Sequence, residues 1–303
     1  MKSEQITEKI YTRLKEKQIR GKTVSVSHLE DLKKEIERFY KGGEFDRDFY
    51  EERLREFDYS LPKKLPGAKT LIIVAAPQLQ IRVAFRFQNT TYHLIIPPTY
   101  LYNTDRRAEN ILRSVLKPEG YGLAGAKIPE KILAARSGLA KYGKNNITYV
   151  TGMGSFNRPS AFFTDLPCLE DSWGNLEMME DCLDCSACLK SCPSGAITRG
   201  RFLVRAERCL TFHNERQVEF PEWINPSWHN CLIGCMACQL VCPANREFLG
   251  RIEDGPEFSA EETGFILQGK PKEELPVETV KKLKRINMLA ELKLLPRNLR
   301  VLF

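Results

Sequence analysis

Eight of the ten cysteines in this 303-residue chain fall in two short runs whose spacing is that of metal ligands. The first is Cys182-Leu-Asp-Cys185-Ser-Ala-Cys188-Leu-Lys-Ser-Cys192-Pro193. The second is Cys231-Leu-Ile-Gly-Cys235-Met-Ala-Cys238-Gln-Leu-Val-Cys242-Pro243. Three thiolates two residues apart can wrap three corners of one cubane in a single loop. A fourth cysteine just before a proline has turned away and ligates a second cluster, as in two-cluster bacterial ferredoxins. The first run has that spacing in full, and Cys235 to Pro243 repeats its ending. The expected chemistry is one-electron transfer through two [4Fe-4S] clusters held close together.

Other uses of cysteine fit the spacing poorly. A disulfide framework belongs to short secreted chains. This chain is long, and its charged start, Met1 to Ile10, has neither the apolar core of a secretory signal nor a twin-arginine pair. Zinc sites use C-x2-C pairs set apart by a longer spacer. The expected compartment is the cytoplasm, which suits oxygen-sensitive clusters. The hydrophobic fraction of 42% is ordinary, and no apolar run approaches the ~20 residues of a membrane span. No membrane partner is expected. The net charge is +7, and residues 270 to 303 hold nine Lys or Arg against four Glu. Such a surface could meet a phosphate backbone. However, Val280, Leu283, Ile286 and Leu292 recur at helical spacing, so the segment reads first as an amphipathic helix docked on the core.

The elements that must position the cysteines can be read along the chain. Residues 1–60 are charged and helix-prone, broken at Gly42-Gly43. Leu71 to Ala76 reads as a buried strand. Ile81 to Phe87 alternates like a half-buried strand and turns at Gln88-Asn89-Thr90 into Thr91 to Ile96, a hairpin. Thr104 or Asp105 can cap a helix whose one face carries Ala108, Ile111, Leu112, Val115 and Leu116. Pro129 suits the first turn of a helix running to about Tyr142. Ile147 to Val150 is a further strand, followed by the glycine-broken Thr151 to Ser155. The expected organisation is a helical segment over 1–60, an α/β core over 61–172, a ferredoxin-like two-cluster domain over 173–250 and a C-terminal helical segment over 251–303 packed on the core. The fold class is α+β.

Taken together these stretches resemble the epoxyqueuosine reductase family, cobalamin-dependent relatives of the reductive dehalogenases. The resemblance covers roughly residues 60 to 248. It lies in Leu65-Pro-Gly-Ala-Lys-Thr-Leu-Ile-Ile-Val74, in Ala134-Ala-Arg-Ser-Gly-Leu-Ala-Lys-Tyr-Gly-Lys-Asn145, in Gly154-Ser155-Phe156, in Thr164-Asp-Leu-Pro167 and in both cysteine runs. The family's separate Arg-Cys element is matched by Arg208-Cys209. The resemblance implies a nitroreductase-like corrinoid-binding core joined to a ferredoxin-like double-cluster domain. It assigns Cys182, Cys185, Cys188 and Cys242 to one cluster, and Cys192, Cys209, Cys235 and Cys238 to the other. Spacing alone leaves Cys231 as a rival to Cys209; Cys168 and the unused one of that pair would be small buried residues.

The resemblance further implies a corrinoid bound between the core and the cluster domain. Its pocket would be lined by Tyr102, Asp105 and Arg106, by Gly138, Tyr142, Gly143 and Lys144, and by Gly154, Ser155 and Phe156. Glycines let backbone approach a flat macrocycle, although turn chemistry explains Gly152 and Gly154 equally, and an aromatic such as Tyr142 or Phe156 is ordinarily core. None of the four histidines, His28, His93, His213 and His229, lies in these stretches, so no protein ligand to cobalt is expected. One departure stands out. Ala124 occupies the position of the family's proton-donating Asp, and Ala cannot transfer a proton. Asp105, Glu130 and Tyr121 are the nearby candidates to replace it. Tyr100-Leu-Tyr102-Asn also departs from the family's Tyr-Ala-Arg-Gly.

The resulting expectation is an iron–sulfur oxidoreductase, a cobalamin-dependent reductase whose substrate need not be the tRNA wobble nucleotide. The rival is an electron-transfer protein that reduces a corrinoid on a partner. A third reading is a tRNA-binding relative without the chemistry. Expected partners are a small-molecule or protein electron donor, a corrinoid protein under the rival reading, and tRNA under the third.

Overall fold

The computed structural model describes residues 2–100 and 103–303. In chain order the first elements are α1 (Lys2–Lys15), β1 (Arg20–Ser25), α2 (Leu29–Lys41), α3 (Arg47–Phe49), β2 (Thr70–Pro77), β3 (Gln80–Phe87) and β4 (Thr90–Ile96). There follow α4 (Asn103–Leu116), β5 (Ala124–Gly125), α5 (Glu130–Arg136), β6 (Lys141–Tyr142), β7 (Thr148–Tyr149) and β8 (Asn157–Thr164). The rest are α6 (Ala187–Ser191), α7 (Leu210–Asn214), α8 (Ala237–Leu240), β9 (Ile252–Phe258), α9 (Ala260–Leu267), α10 (Val277–Arg285) and α11 (Leu295–Leu302). They form two compact units. The first comprises residues 1–78 and 103–185, the second residues 79–102 and 186–303.

The first unit is built on an antiparallel sheet in the order β1-β2-β8-β5. β2 is central, which is why it reads as an unbroken apolar run. Leu71, Ile73 and Ala75 face a core shared with Leu32 and Ile36 of α2 and Leu133 of α5. Ile72, Val74 and Ala76 face the opposite core, shared with Ile6, Ile10 and Leu14 of α1 and Leu112 of α4. The i, i+4 spacing of those three α1 residues gives the helix its single buried stripe.

The second unit holds a three-stranded sheet in the order β4-β3-β9. β3 and β4 form the expected hairpin, with Gln88 and Asn89 at φ 47° and 64°, the paired left-handed residues of a twist-matched two-residue turn. β9 adds to β3 in parallel. Phe85 and Phe258 stack at 4.7 Å in a core that α9, α10 and α11 cover. A reciprocal capping box between Ser259 and Glu262 starts α9.

Several expectations are corrected. Residues 1–60 are not purely helical, because β1 pairs with β2 from Arg20↔Ala75 to Ser25↔Thr70. Its flanking Arg20 and Lys22 mask a strand that only this long-range pairing stabilises. The four consecutive segments give way to two interleaved units. The β3–β4 hairpin leaves the expected 61–172 core to pair with β9, and the C-terminal helices pack on that second sheet. α4 already begins at Asn103, so Thr104 and Asp105 do not cap it; Thr104 Oγ1 instead accepts from Gln78 Nε2 at 2.6 Å. α5 stops at Arg136 because Gly138 turns left-handed at φ 69°, and Tyr142 falls in a strand. The last amphipathic stretch breaks at Asn287, φ 57°, into α10 and α11. No helix among the described residues is long and apolar enough to cross a membrane.

Candidate metal centre

The two cysteine runs are built alike. Each places a cysteine on a short helix, Cys188 on α6 and Cys238 on α8, and each ends at a Cys-Pro that cannot continue it. After both prolines the chain makes the same tight turn. The Cys192 carbonyl accepts from Gly195 N–H at 3.2 Å, and the Cys242 carbonyl from Asn245 N–H at 3.0 Å. Ser191 Oγ of α6 donates to the Ala237 carbonyl of α8 at 2.9 Å, tying the two helices together.

The loop that carries the second run is clamped from several sides. Leu232 N–H donates to the Ile95 carbonyl of β4 at 2.8 Å. Asn298 of α11, 1% exposed, donates to the carbonyls of Leu232 and Asn214, both at 3.1 Å. Asn214 in turn donates to the Gly234 carbonyl at 2.6 Å. Gly234 is obligatory here. Its φ is +67°, and a Cβ would collide with the Tyr100 hydroxyl. Tyr100 is held by a hydrogen bond to Glu215.

Among the described residues no cysteine is in a disulfide. Cys209 precedes α7, with the backbone N–H groups of Thr211 and Phe212 directed at its sulfur. Burial, then the neighbouring Cys235 and Cys192, push its thiol up to about 11. Burial and Cys192 likewise raise the Cys235 thiol, against hydrogen bonds from Asn230 and the Ala237 amide. Cys192, Cys209 and Cys235 are therefore mutual neighbours in the second unit. Half-buried thiols crowded in this way become thiolates when a bound cation neutralises them, so the donor set fits an iron–sulfur cluster. Among the described residues no three His, Cys, Asp or Glu side chains are placed to hold a single metal ion. A cubane spreads its thiolates over four corners more widely than one tetrahedral ion does, and the wider grouping is its pattern. Cys182 and Cys185 belong to the first unit, Cys188 and Cys242 to the second. Cys231 is 1% exposed, and burial and then Cys235 raise its thiol. Cys168 is half-buried rather than buried, and donates to the Glu170 carbonyl at 3.4 Å.

The residues expected to line a corrinoid pocket divide by exposure. Tyr102 lies outside the described residues. Arg106 is exposed, and Gly138 has open space where a side chain would stand. Gly154 is left-handed at φ 55° and its carbonyl accepts from Val150 N–H and Asn157 Nδ2 at 3.0 and 2.9 Å, which is turn chemistry. Tyr142, Ser155 and Phe156 are buried at 3%, 1% and 2%. Gly143 is glycine for Tyr149, whose ring would lie 2.5 Å from its Cβ. Lys144 Nζ donates to the carbonyls of Cys185 at 2.8 Å and Leu183 at 3.3 Å, bringing a cation to the first cysteine run. Among the described residues no histidine joins this group. His28 bridges Asp31 and Asp171 at 3.0 and 2.9 Å and stacks on Trp173, and His213 Nε2 meets the Glu207 carbonyl at 2.8 Å. His93 is exposed on β4, and burial pushes His229 down to about 4.

A second chemical cluster lies along β8. Asp105 accepts from Arg158 Nε, 2.9 Å to each oxygen, and from Ser160 Oγ at 2.6 Å. Glu130, the first residue of α5, accepts from the Ala161 amide. Burial pushes its carboxyl up to about 7; the nearby Asp105 raises it further while Arg158 opposes. A second carboxyl thus lies beside one that burial pushes toward neutral pH, and a carboxyl perturbed in this way is a mark of acid–base sites. Ala124 lies on the same strand edge, opposite Phe163. The sequence reading overlooked Arg158 and Ser160, although two polar residues at i, i+2, on one face of the strand, were the available signal.

Comparison with known proteins agrees with this geometry. Residues 181–245 match a family described as a 4Fe-4S double cluster binding domain. The epoxyqueuosine reductase of Salmonella typhimurium is 31% identical over 209 residues, 64% of this chain and 52% of that protein. That of Escherichia coli is 30% identical over 196 residues, 60% of this chain and 50% of that protein. The chain thus spans about half the length of these curated relatives. The structure of the Streptococcus thermophilus epoxyqueuosine reductase superimposes with a TM-score of 0.68 at 20% identity, over 98% of this chain and 80% of that one. An epoxyqueuosine reductase solved with a tRNA-Tyr epoxyqueuosine-modified stem loop superimposes at 0.58 and 20% identity, over 81% of this chain and 67% of that one. The chain therefore has the fold of the epoxyqueuosine reductases, is similar to them in sequence, and contains a double [4Fe-4S] cluster domain.

Proposed function

We propose that this protein is a corrinoid-dependent reductase of the epoxyqueuosine reductase type, fed by two [4Fe-4S] clusters. The observation that carries the proposal is the gathering of Cys192, Cys209 and Cys235 in one unit of a chain that, over 98% of its length, has the fold of an epoxyqueuosine reductase. Cys192, Cys209, Cys235 and Cys238 hold one cluster, and Cys182, Cys185, Cys188 and Cys242 the other. Cys209 is preferred to Cys231 because it neighbours two other ligands, whereas Cys231 spends its S–H on Asn230 at 3.1 Å. A corrinoid would be held by Arg106, Lys144 and the open backbone at Gly138. When bound it supplies a reduced cobalt, a strong nucleophile.

The chain's own acid is Glu130. It keeps a proton near neutral pH beside the Asp105–Arg158 pair, and the Ser160 hydroxyl holds the Asp105 side chain in place. Glu130 thereby stands in for the Asp that Ala124 lacks. tRNA is the substrate partner under the closest form of this proposal. The basic C-terminal segment is partly neutralised by its neighbours, since Lys282 pairs with Glu262 at 2.6 Å and Lys281 with Glu278 at 2.7 Å.

Anaerobic purification with iron and cobalt analysis, then titration with cobalamin under reductant, tests the cofactor. No spectral change on titration would remove the corrinoid from this chain and favour the second reading, an electron-transfer protein that reduces a corrinoid on a partner, to which Ala124 points. Turnover of epoxyqueuosine tRNA by wild type and Ala124→Asp tests the substrate. Loss of a general acid typically costs about a hundred- to ten-thousand-fold. A large gain in Ala124→Asp would show that Glu130 does not supply the proton. Equal, brisk turnover would show that it or another native residue does.

A further inference from the structure

The surplus cysteine of the second run and the residue before it have no role in the scheme above, yet they are wired to a cluster ligand. Asn230 Nδ2 donates to Cys235 Sγ at 3.3 Å and to the Trp228 carbonyl at 3.0 Å. Its Oδ1 accepts from the Met236 amide at 2.9 Å and from the Cys231 thiol at 3.1 Å. A side-chain amide has two N–H donors and two acceptor lone pairs, and all four are used.

The orientation of this amide is not interchangeable. The Trp228 carbonyl can only accept and the Met236 N–H can only donate, so a flipped amide would lose both bonds and set like against like. The N–H that remains is aimed at sulfur by its neighbours, not by the sulfur itself. Cys231, 1% exposed, serves as the second donor to Oδ1. At a neighbouring thiol of the same group, Ser194 Oγ lies 3.6 Å from Cys192 Sγ. With Cys192 bound to iron as thiolate, the hydroxyl is the only possible donor of that pair.

Hydrogen bonds to cluster sulfurs stabilise the reduced, more negative state and are among the protein's levers on cluster potential. We propose that Asn230, locked by Cys231, Met236 and Trp228, is a positioning residue that raises the reduction potential of the cluster bound through Cys235, making it the resting place for the first electron. The proposal rests on the double-cluster domain and on Cys235 as a ligand, and is independent of the corrinoid and of the substrate. The change is one electron per cluster, [4Fe-4S]2+ to [4Fe-4S]+, taken in the test from dithionite.

Anaerobically reconstituted wild type, Asn230→Ala and Asn230→Asp should be compared by EPR-monitored redox titration. Asn230→Asp keeps the acceptor to Met236 and Cys231 but loses the N–H and adds negative charge. We expect one cluster to become at least tenfold harder to reduce in the Ala variant, about 59 mV for one electron, and harder still in the Asp variant, with the other cluster unmoved. Both potentials unchanged at full iron content would overturn the proposal, as would a shift of both clusters alike. The wild-type protein labelled with 15N only at asparagine side chains gives a test that needs no variant to fold. Pulsed EPR of the reduced cluster should show a 15N coupling, and its absence would likewise refute the hydrogen bond. Too little iron for two clusters, about eight atoms per chain, would instead count against the double-cluster reading itself.

Discussion

Replacing Glu130 by Gln should stabilise the protein at alkaline pH and do so progressively less as the pH falls. Burial holds the native carboxyl neutral up to about pH 7, against an ordinary value of 4.5, with Asp105 adding to the effect and Arg158 opposing it. The unfolded chain releases this proton near 4.5 while the folded chain retains it. Between the two values the folded state therefore binds more protons, and stability falls as the pH rises. At about 1.36 kcal/mol per pH unit, the full window costs the wild type at most about 3 kcal/mol, reached above pH 7. The glutamine side chain has no charge to desolvate, and its carbonyl can still accept from the Ala161 amide. Urea unfolding under argon, compared at about pH 5.5 and 8.5, should show the variant's advantage growing by about 2 kcal/mol across the interval, with most of the growth below about pH 7. A difference that stays constant with pH would refute the neutral carboxyl, as would a 13C-NMR titration placing Glu130 near its ordinary value.

Reconstituted protein should hold about eight irons, from two four-iron clusters; a robust value near four, without spin coupling on reduction, would contradict the two-cluster reading. Cys209→Ala should lose about half of that iron while Cys231→Ala and Cys168→Ala keep it all, and the reverse result would exchange Cys209 and Cys231 in the ligand set. Gly143→Ala should lower stability by about 1–3 kcal/mol, the usual cost of overpacking, since its new methyl would strike the Tyr149 ring; thermal unfolding of the two proteins decides it, and an unchanged midpoint would show that the β6–β7 turn yields freely.

Much of this was legible in the sequence because it was written locally. The cysteine spacing, the central strand at Leu71–Ala76 and the hairpin at residues 81–96 are each specified by residues within a few positions of one another. What escaped depended on distant partners. β1 is a strand only because β2 lies beside it, and the parallel pairing of β3 with β9 joins residues far apart in the chain, in the register Gln80↔Ile252. The candidate site divides in the same way. Its cysteines announce themselves by spacing, whereas Asp105, Arg158, Ser160 and Glu130 come from α4, β8 and α5, and only the sheet assembles them. Tyr142 and Phe156, which the resemblance offered as contacts for a macrocycle and which composition reads as core, are both buried.

The interleaving of the two units has a consequence for modularity. The backbone passes from one unit to the other three times, after residues 78, 102 and 185. A clone beginning at Ser186 would contain six of the eight cluster cysteines but neither Cys182 nor Cys185. It would also lack β3 and β4, leaving β9 with no strand to pair with and Phe258 without the ring it stacks on. The cluster-bearing half is therefore not a cassette that could be excised, transplanted or shed by proteolysis. Insertion of the hairpin early in the chain commits both halves to fold as one gene product.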